Sequence, residues 1–257
     1  MLNLILKILK RLKNLLVKIN NFNGDDMKKF YEKHELSFCM LLIIIYIVVN
    51  SICINVFGMN DYKTSITNIL LSILIIIFIF KNKLGNYYGL TTFPILKKYL
   101  YFIPLILIIS VNLWNGINIE NTPSEIIFYI ISMIGVGFLE EIIFRGFLFK
   151  MMEKDNIKTA IIVSSVTFGI GHIINLLNGA DILPTLMQIM YATAGGYLFV
   201  TIFYKSKSLW PCIITHILVN SLSIFNGTDN FISIWIAPVF LTIVSILYAM
   251  YINKTIK

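Results

Sequence analysis

Glu140, Glu141 and Arg145, then His172, then His216 with Asn220, lie in three separate apolar stretches of a 257-residue chain. A carboxylate, two imidazoles and an amide suit water activation followed by oxyanion stabilisation. Glu140 would take a proton from a water that His172 helps to hold, while His216 and Asn220 donate hydrogen bonds to the tetrahedral oxyanion. The reaction such a set runs is hydrolysis of an amide bond. His216 and Asn220, four residues apart, share one face of a helix. Glu140 and Glu141 are adjacent and so point about 100° apart, whereas Glu141 and Arg145 at four-residue spacing can pair. One Glu is then held by Arg and the other turns inward, although the five donors of Arg145 also allow it to bridge both.

The elements that must carry these residues are membrane helices. Apolar residues make up 58% of the chain and charged ones only 13%, with a mean hydropathy of +0.83, far from soluble averages. Polar interruptions cut the sequence into eight candidate spans, at 36–57, 65–80, 99–115, 124–149, 159–177, 184–204, 209–225 and 231–252. Each is near the ~20 residues needed to cross a ~30 Å hydrocarbon core. The predicted fold is therefore an all-α polytopic membrane protein. Ionised and unpaired, Glu140, Glu141 and Arg145 would oppose insertion of span 4 by roughly 8–10 kcal/mol, while its Leu, Ile, Phe and Val favour it by about 4–9. Span 4 therefore needs partners or water around its charges, which marks it as the working element.

Basic residues fix the orientation. Of 21 Lys and Arg, eight precede span 1, four fall between spans 2 and 3, three follow span 4, two follow span 6 and two end the chain. The alternate loops hold only Lys63, so both termini are expected in the cytoplasm. The net charge of +8 is thus a topology signal rather than a mark of nucleic-acid binding. Residues 1–20, with Leu2, Ile5, Leu9, Leu12, Leu16 and Ile19 at helical spacing against Lys7, Lys10, Arg11 and Lys18, read as an amphipathic helix lying on the inner leaflet. The other reading of this segment is packing on the protein's own cytoplasmic face. Residues 21–35 read as a polar linker, and 36–257 as the transmembrane domain. Cys39, Cys53 and Cys212 have no paired spacing and read as packing residues. Glycine pairs Gly135/Gly137 in span 4 and Gly169/Gly171 in span 5 suggest close packing of those two helices beside the polar residues.

Counting inward at 1.5 Å per residue puts Glu140 about 15 Å deep, His172 about 21 Å, His216 about 12 Å and Asn220 about 18 Å. A common level follows.

Glu140-Glu141-x-x-x-Arg145, Phe168-x-x-x-His172 and His216-x-x-x-Asn220, in that order on successive late spans, resemble the CAAX prenyl endopeptidase and bacteriocin-processing (CPBP) family of intramembrane proteases. The resemblance covers about 120–225. It implies an eight-helix α-fold and a glutamate-dependent endopeptidase working near the cytoplasmic side, without a cofactor. It also implies Glu140 and His172 as water activators, His216 and Asn220 as the oxyanion site, and Glu141 with Arg145 in support. Expected partners are membrane lipids and a membrane-associated peptide or lipidated protein as substrate. The expected location is a bacterial cytoplasmic membrane.

Three other readings stay open. Glu140, His172 and His216 could ligate Zn²⁺ with one position left for water, although no HExxH puts two His on one helix face and Asn220 is then unassigned. Membrane carboxylates, Arg and His also build proton relays, and such a chain could bind a peptide without cutting it, as an immunity protein does. Ser164, Ser165 and Thr167 of span 5 remain possible nucleophiles.

Overall fold

Backbone groups in hydrocarbon must satisfy one another, so long apolar stretches bounded by polar caps become helices. The computed structural model describes residues 24–92, 103–227 and 230–255, and these are helical apart from their loops and a single bridge between Ile117 and Asn226. In chain order the helices are α1 (Gly24–Lys33), α2 (Glu35–Phe57), α3 (Tyr62–Lys81), α4 (Leu105–Ser110), α5 (Pro123–Met152), α6 (Ile157–Leu177), α7 (Ile182–Ser206), α8 (Trp210–Phe225) and α9 (Ile232–Thr255). Their starts are chemically specified. Asp61 caps α3 by accepting from the Lys63 amide at 2.7 Å, and Asn156 caps α6 by accepting from Thr159 at 3.0 Å. Thr122 and Glu125 form a reciprocal capping box at α5, with Pro123 in its first turn. At the other end of α7, Lys207 adopts a left-handed conformation (φ 56°) and stops the helix.

Among the described residues six helices, α2, α3, α5, α6, α7 and α9, are long and apolar enough to cross a membrane. The protein is an integral, all-α polytopic membrane protein. The predicted seventh span is the shorter apolar helix α8. Of the predicted third span only the end is described: α4 and a tight turn over Val111–Leu113 that follows it. The predicted interfacial helix at 1–20 lies outside the described residues. Within 21–35, read from sequence as a linker, ten residues form α1, where Lys28 and Glu32 pair at 3.7 Å across one turn.

Two compact units are distinguished, Met1–Met40 and Leu41–Lys257. In the first, Tyr31 and Phe38 meet edge-on at 5.4 Å. In the second, burial separates core from periphery: 61% of the apolar window of α5 is buried, against 28% for α3, α6 and α9. The peripheral helices expose Ile66, Leu70, Ile73 and Leu74 of α3 and Ile243, Ile246 and Leu247 of α9. Such apolar outer faces suit lipid rather than water.

The glycines set helix spacing, with partners that differ from the sequence reading. A Cβ on Gly135 would lie 2.9 Å from Asn68 of α3, and one on Gly137 would lie 2.7 Å from Ile217 of α8. Gly169 presses on Ile189 and Thr193 of α7, whereas Gly171 faces open space. These glycines therefore do not join α5 to α6 as predicted. That contact is made by larger groups: Ser164 donates to the Phe144 carbonyl at 2.9 Å, and the Phe144 and Phe168 rings meet edge-on at 5.3 Å.

Candidate active site

The α-helical part of α5 ends at Glu141, and from Ile142 to Phe149 its backbone is a π-helix before a last α-turn. Such widened turns are frequent at functional sites. Arg145 sits in this segment. Gly146 beside it leaves room for Ile142, whose Cδ1 would be 2.7 Å from an added Cβ.

Glu141 and Arg145 pair as their spacing predicts, with Nη1 3.2 Å from Oε1 and both side chains fully buried. The alignment is too poor for a directed hydrogen bond, since all three guanidinium nitrogens lack a hydrogen-bond partner among the described residues. The contact is therefore an ion pair by distance, and Arg145 gains further support from aromatic faces. Its guanidinium carbon lies 4.1 Å from the Phe168 ring centre and 5.6 Å from that of Phe199. Gly196 of α7 makes the space, because a Cβ there would stand 3.3 Å from Nη2.

His216, reaching in from α8, meets both carboxylates. Its Nδ1 is 2.8 Å from Glu141 Oε1 and its Nε2 is 3.4 Å from Glu140 Oε2. An ionised carboxylate only accepts, so the Glu141 contact assigns a proton to Nδ1 and leaves Nε2 facing Glu140. Glu140 is held from its far side: the Tyr46 hydroxyl of α2 donates to Oε1 at 2.6 Å. Its other oxygen, Oε2, has no hydrogen-bond partner among the described residues.

Glu140, His172, His216 and Asn220 all line one cavity of about 300 Å³. Glu140 and His172 also border a smaller one of about 70 Å³, walled by Asn50, Ser51, Asn175 and Asn178. Phe168 stands between the imidazoles, edge-on to His172 at 5.3 Å and perpendicular to His216 at 5.7 Å. All four sequence-predicted catalytic residues thus reach a common space, with Glu141 and Arg145 packed behind it. No direct bond joins Glu140 to His172 among the described ion pairs. A carboxylate oxygen, imidazoles and an amide around one cavity can hold a water and hydrogen-bond an anion.

The other groups singled out from sequence are placed elsewhere. Ser164, Ser165 and Thr167 donate to the carbonyls of Phe144, Ile161 and Val163 and do not line the cavity. Cys39, Cys53 and Cys212 are buried. Among the described residues no three His, Cys, Asp or Glu side chains gather at spacing that could hold a metal ion.

Tyr46 was missed from sequence, as was its neighbour on the cavity wall, Asn50. The available signal was their four-residue spacing within the apolar run of α2, since polar groups at membrane depth seldom lack a partner. Asn50 accepts from Asn68 of α3 at 3.1 Å, and Asn68 also donates to Ser132 of α5 at 2.9 Å. These bonds tie the three helices together at the cavity wall.

Residues 122–222 match the model of a family described as Type II CAAX prenyl endopeptidase Rce1-like. A Bacillus subtilis (strain 168) protein named "Putative membrane peptidase YdiL" is 37% identical over 93 residues, covering 36% of this chain and 34% of that relative. The match spans about a third of the relative's length. No solved structure matches the chain. The resemblance read from the three motifs is borne out over the segment that carries them.

Proposed function

Proceeding from the match of residues 122–222 to the Rce1-like CAAX prenyl endopeptidase family model, we propose that this protein is an intramembrane endopeptidase that uses Glu140 as its base. The observation that carries the reading is the cavity that Glu140, His172, His216 and Asn220 line together, with Glu140 Oε2 left without a hydrogen-bond partner among the described residues. Oε2 takes a proton from water held against His172, and the resulting hydroxide adds to the carbonyl carbon of the scissile peptide. The tetrahedral oxyanion accepts hydrogen bonds from the Asn220 amide and from Nε2–H of His216 while the ring carries both protons. Glu140 then returns its proton to the leaving nitrogen, the C–N bond breaks, and a carboxylic acid and an amine are released, the acid passing its proton to the amine in water. Glu141 and Arg145 orient His216 and touch no reacting atom.

The same reading places both termini in the cytoplasm of a bacterial host, with cleavage of a membrane-associated peptide near that face and no cofactor. It is supported by the basic residues that flank alternate spans.

Mass spectrometry of peptides from wild-type and Glu140→Gln membranes tests the proposal. The variant keeps the shape of the side chain and removes the base, so a set of peptides should vanish. If the same peptides persist, hydrolysis by Glu140 is not the function. Chelation with zinc add-back adds a second arm: reproducible loss and rescue of cleavage would transfer water activation to a metal.

A further inference from the structure

We infer that Tyr46 is a positioning residue of the site, tethering Glu140 so that its second oxygen stays free for water. The inference rests on the reading of Glu140 as the base. Tyr46 belongs to α2, outside the segment that matches the family, and is 6% exposed. Its hydroxyl donates to Glu140 Oε1 at 2.6 Å, a short bond of the kind formed with charged acceptors.

The need for a tether follows from what stands opposite. Glu140 Oε2 and His216 Nε2 are 3.4 Å apart and lack hydrogen-bond geometry. A shift of a few tenths of an ångström with a small rotation would bring them to the ~2.8 Å of a charge-assisted bond. That collapse would consume both halves of the machinery at once, the oxygen that takes the water proton and the N–H that meets the oxyanion. A Glu side chain has three rotatable bonds, and among the described residues Tyr46 is the side chain that hydrogen-bonds it. The Tyr46 bond at Oε1 pulls the carboxylate toward α2, while Glu141 holds the imidazole through Nδ1 at 2.8 Å. The two tethers hold base and imidazole separately, through atoms other than the facing Oε2 and Nε2, and keep a gap open between them. Tyr46 also lines both cavities that border Glu140, so its hydroxyl lies at the reacting level.

The test uses the full chain in lipid nanodiscs and Tyr46→Phe, which removes only the hydroxyl. Activity is followed on a synthetic peptide carrying the most abundant cleavage site that disappears in Glu140→Gln membranes. The expected result is a fall in kcat of about 100-fold, the scale of a misplaced catalytic group, with KM unchanged. A structural role alone would not move the second readout. In infrared difference spectra, wild type minus Glu140→Gln isolates the Glu140 carboxylate bands, and these should shift in Tyr46→Phe as one hydrogen bond is exchanged for another. Wild-type kcat in Tyr46→Phe, or unmoved bands, overturns the inference. Should Tyr46→Phe fail to fold, 3-fluorotyrosine at position 46 keeps the ring and hydroxyl and alters donor strength alone. Shifted carboxylate bands then support the tether and unshifted ones sink it. Cleavage that survives Glu140→Gln refutes the base instead, a result separate from either outcome at Tyr46.

Discussion

Glu140 and Glu141 are neighbours in sequence, yet the regions they enter have little in common. Glu141 is fully buried in a cluster with Arg145, His216 and the faces of Phe168 and Phe199. The Glu140 side chain is 13% exposed, held at one oxygen by Tyr46, without a hydrogen-bond partner at the other among the described residues, and borders a cavity of about 300 Å³. The cause is the helix itself: one residue of advance turns a side chain by about 100°, from the packed side of α5 to its open side. A charged group inside a membrane protein thus serves structure or chemistry according to what surrounds it. His216, touching both carboxylates, is where the two regions meet.

The sharpest way to break this contrast is to remove a charge from the sealed side. Arg145→Leu leaves Glu141 buried without its counter-ion, and should lower stability by about 3–5 kcal/mol, read as thermal or denaturant unfolding in detergent. A variant as stable as wild type would mean that the cluster is not a structural unit. On the open side the signature should reverse. Asn220→Ala should reduce kcat about 10²–10³-fold while unfolding is unchanged, as expected for loss of an oxyanion donor. Loss of stability without loss of turnover would place Asn220 with the sealed group.

The contrast was only partly legible in the sequence. Ionisable residues are expensive in lipid, so Glu140, Glu141, Arg145, His172 and His216 stood out from an apolar background, and helical spacing assigned Arg145 to Glu141. Spacing within one helix cannot say which other helix a residue meets. Tyr46 was therefore overlooked, and the partners of Gly135 and Gly137 proved to be Asn68 of α3 and Ile217 of α8. Nor does local sequence announce the π-helix at 142–149, a segment in which Phe147 and Phe149 are fully buried. Sharing of His216 between two carboxylates was likewise invisible, because each contact joins residues about 75 apart in the chain.

Two smaller effects sharpen the picture of what holds the regions in place. Gly135→Ala puts a methyl 2.9 Å from the backbone of Asn68, and overpacking of this kind should cost about 1–3 kcal/mol in unfolding measurements. No change there would mean that α3 and α5 can separate without consequence. The smallest effect belongs to the rim of the 70 Å³ cavity, where Ser51 hydrogen-bonds Asn178. Ser51→Ala should destabilise by about 0.5–1.5 kcal/mol, detectable as a modest shift in the unfolding midpoint.

The central claim is that two adjacent carboxylates do different work, and a paired assay of Glu140→Gln and Glu141→Gln addresses it most directly. Peptide cleavage and thermal unfolding are measured on each purified protein in the same lipid. The account predicts that Glu140→Gln unfolds like wild type and cuts nothing, whereas Glu141→Gln unfolds at clearly lower temperature. Wild-type cleavage by Glu140→Gln, or an unfolding temperature in Glu141→Gln equal to that of wild type, would contradict it.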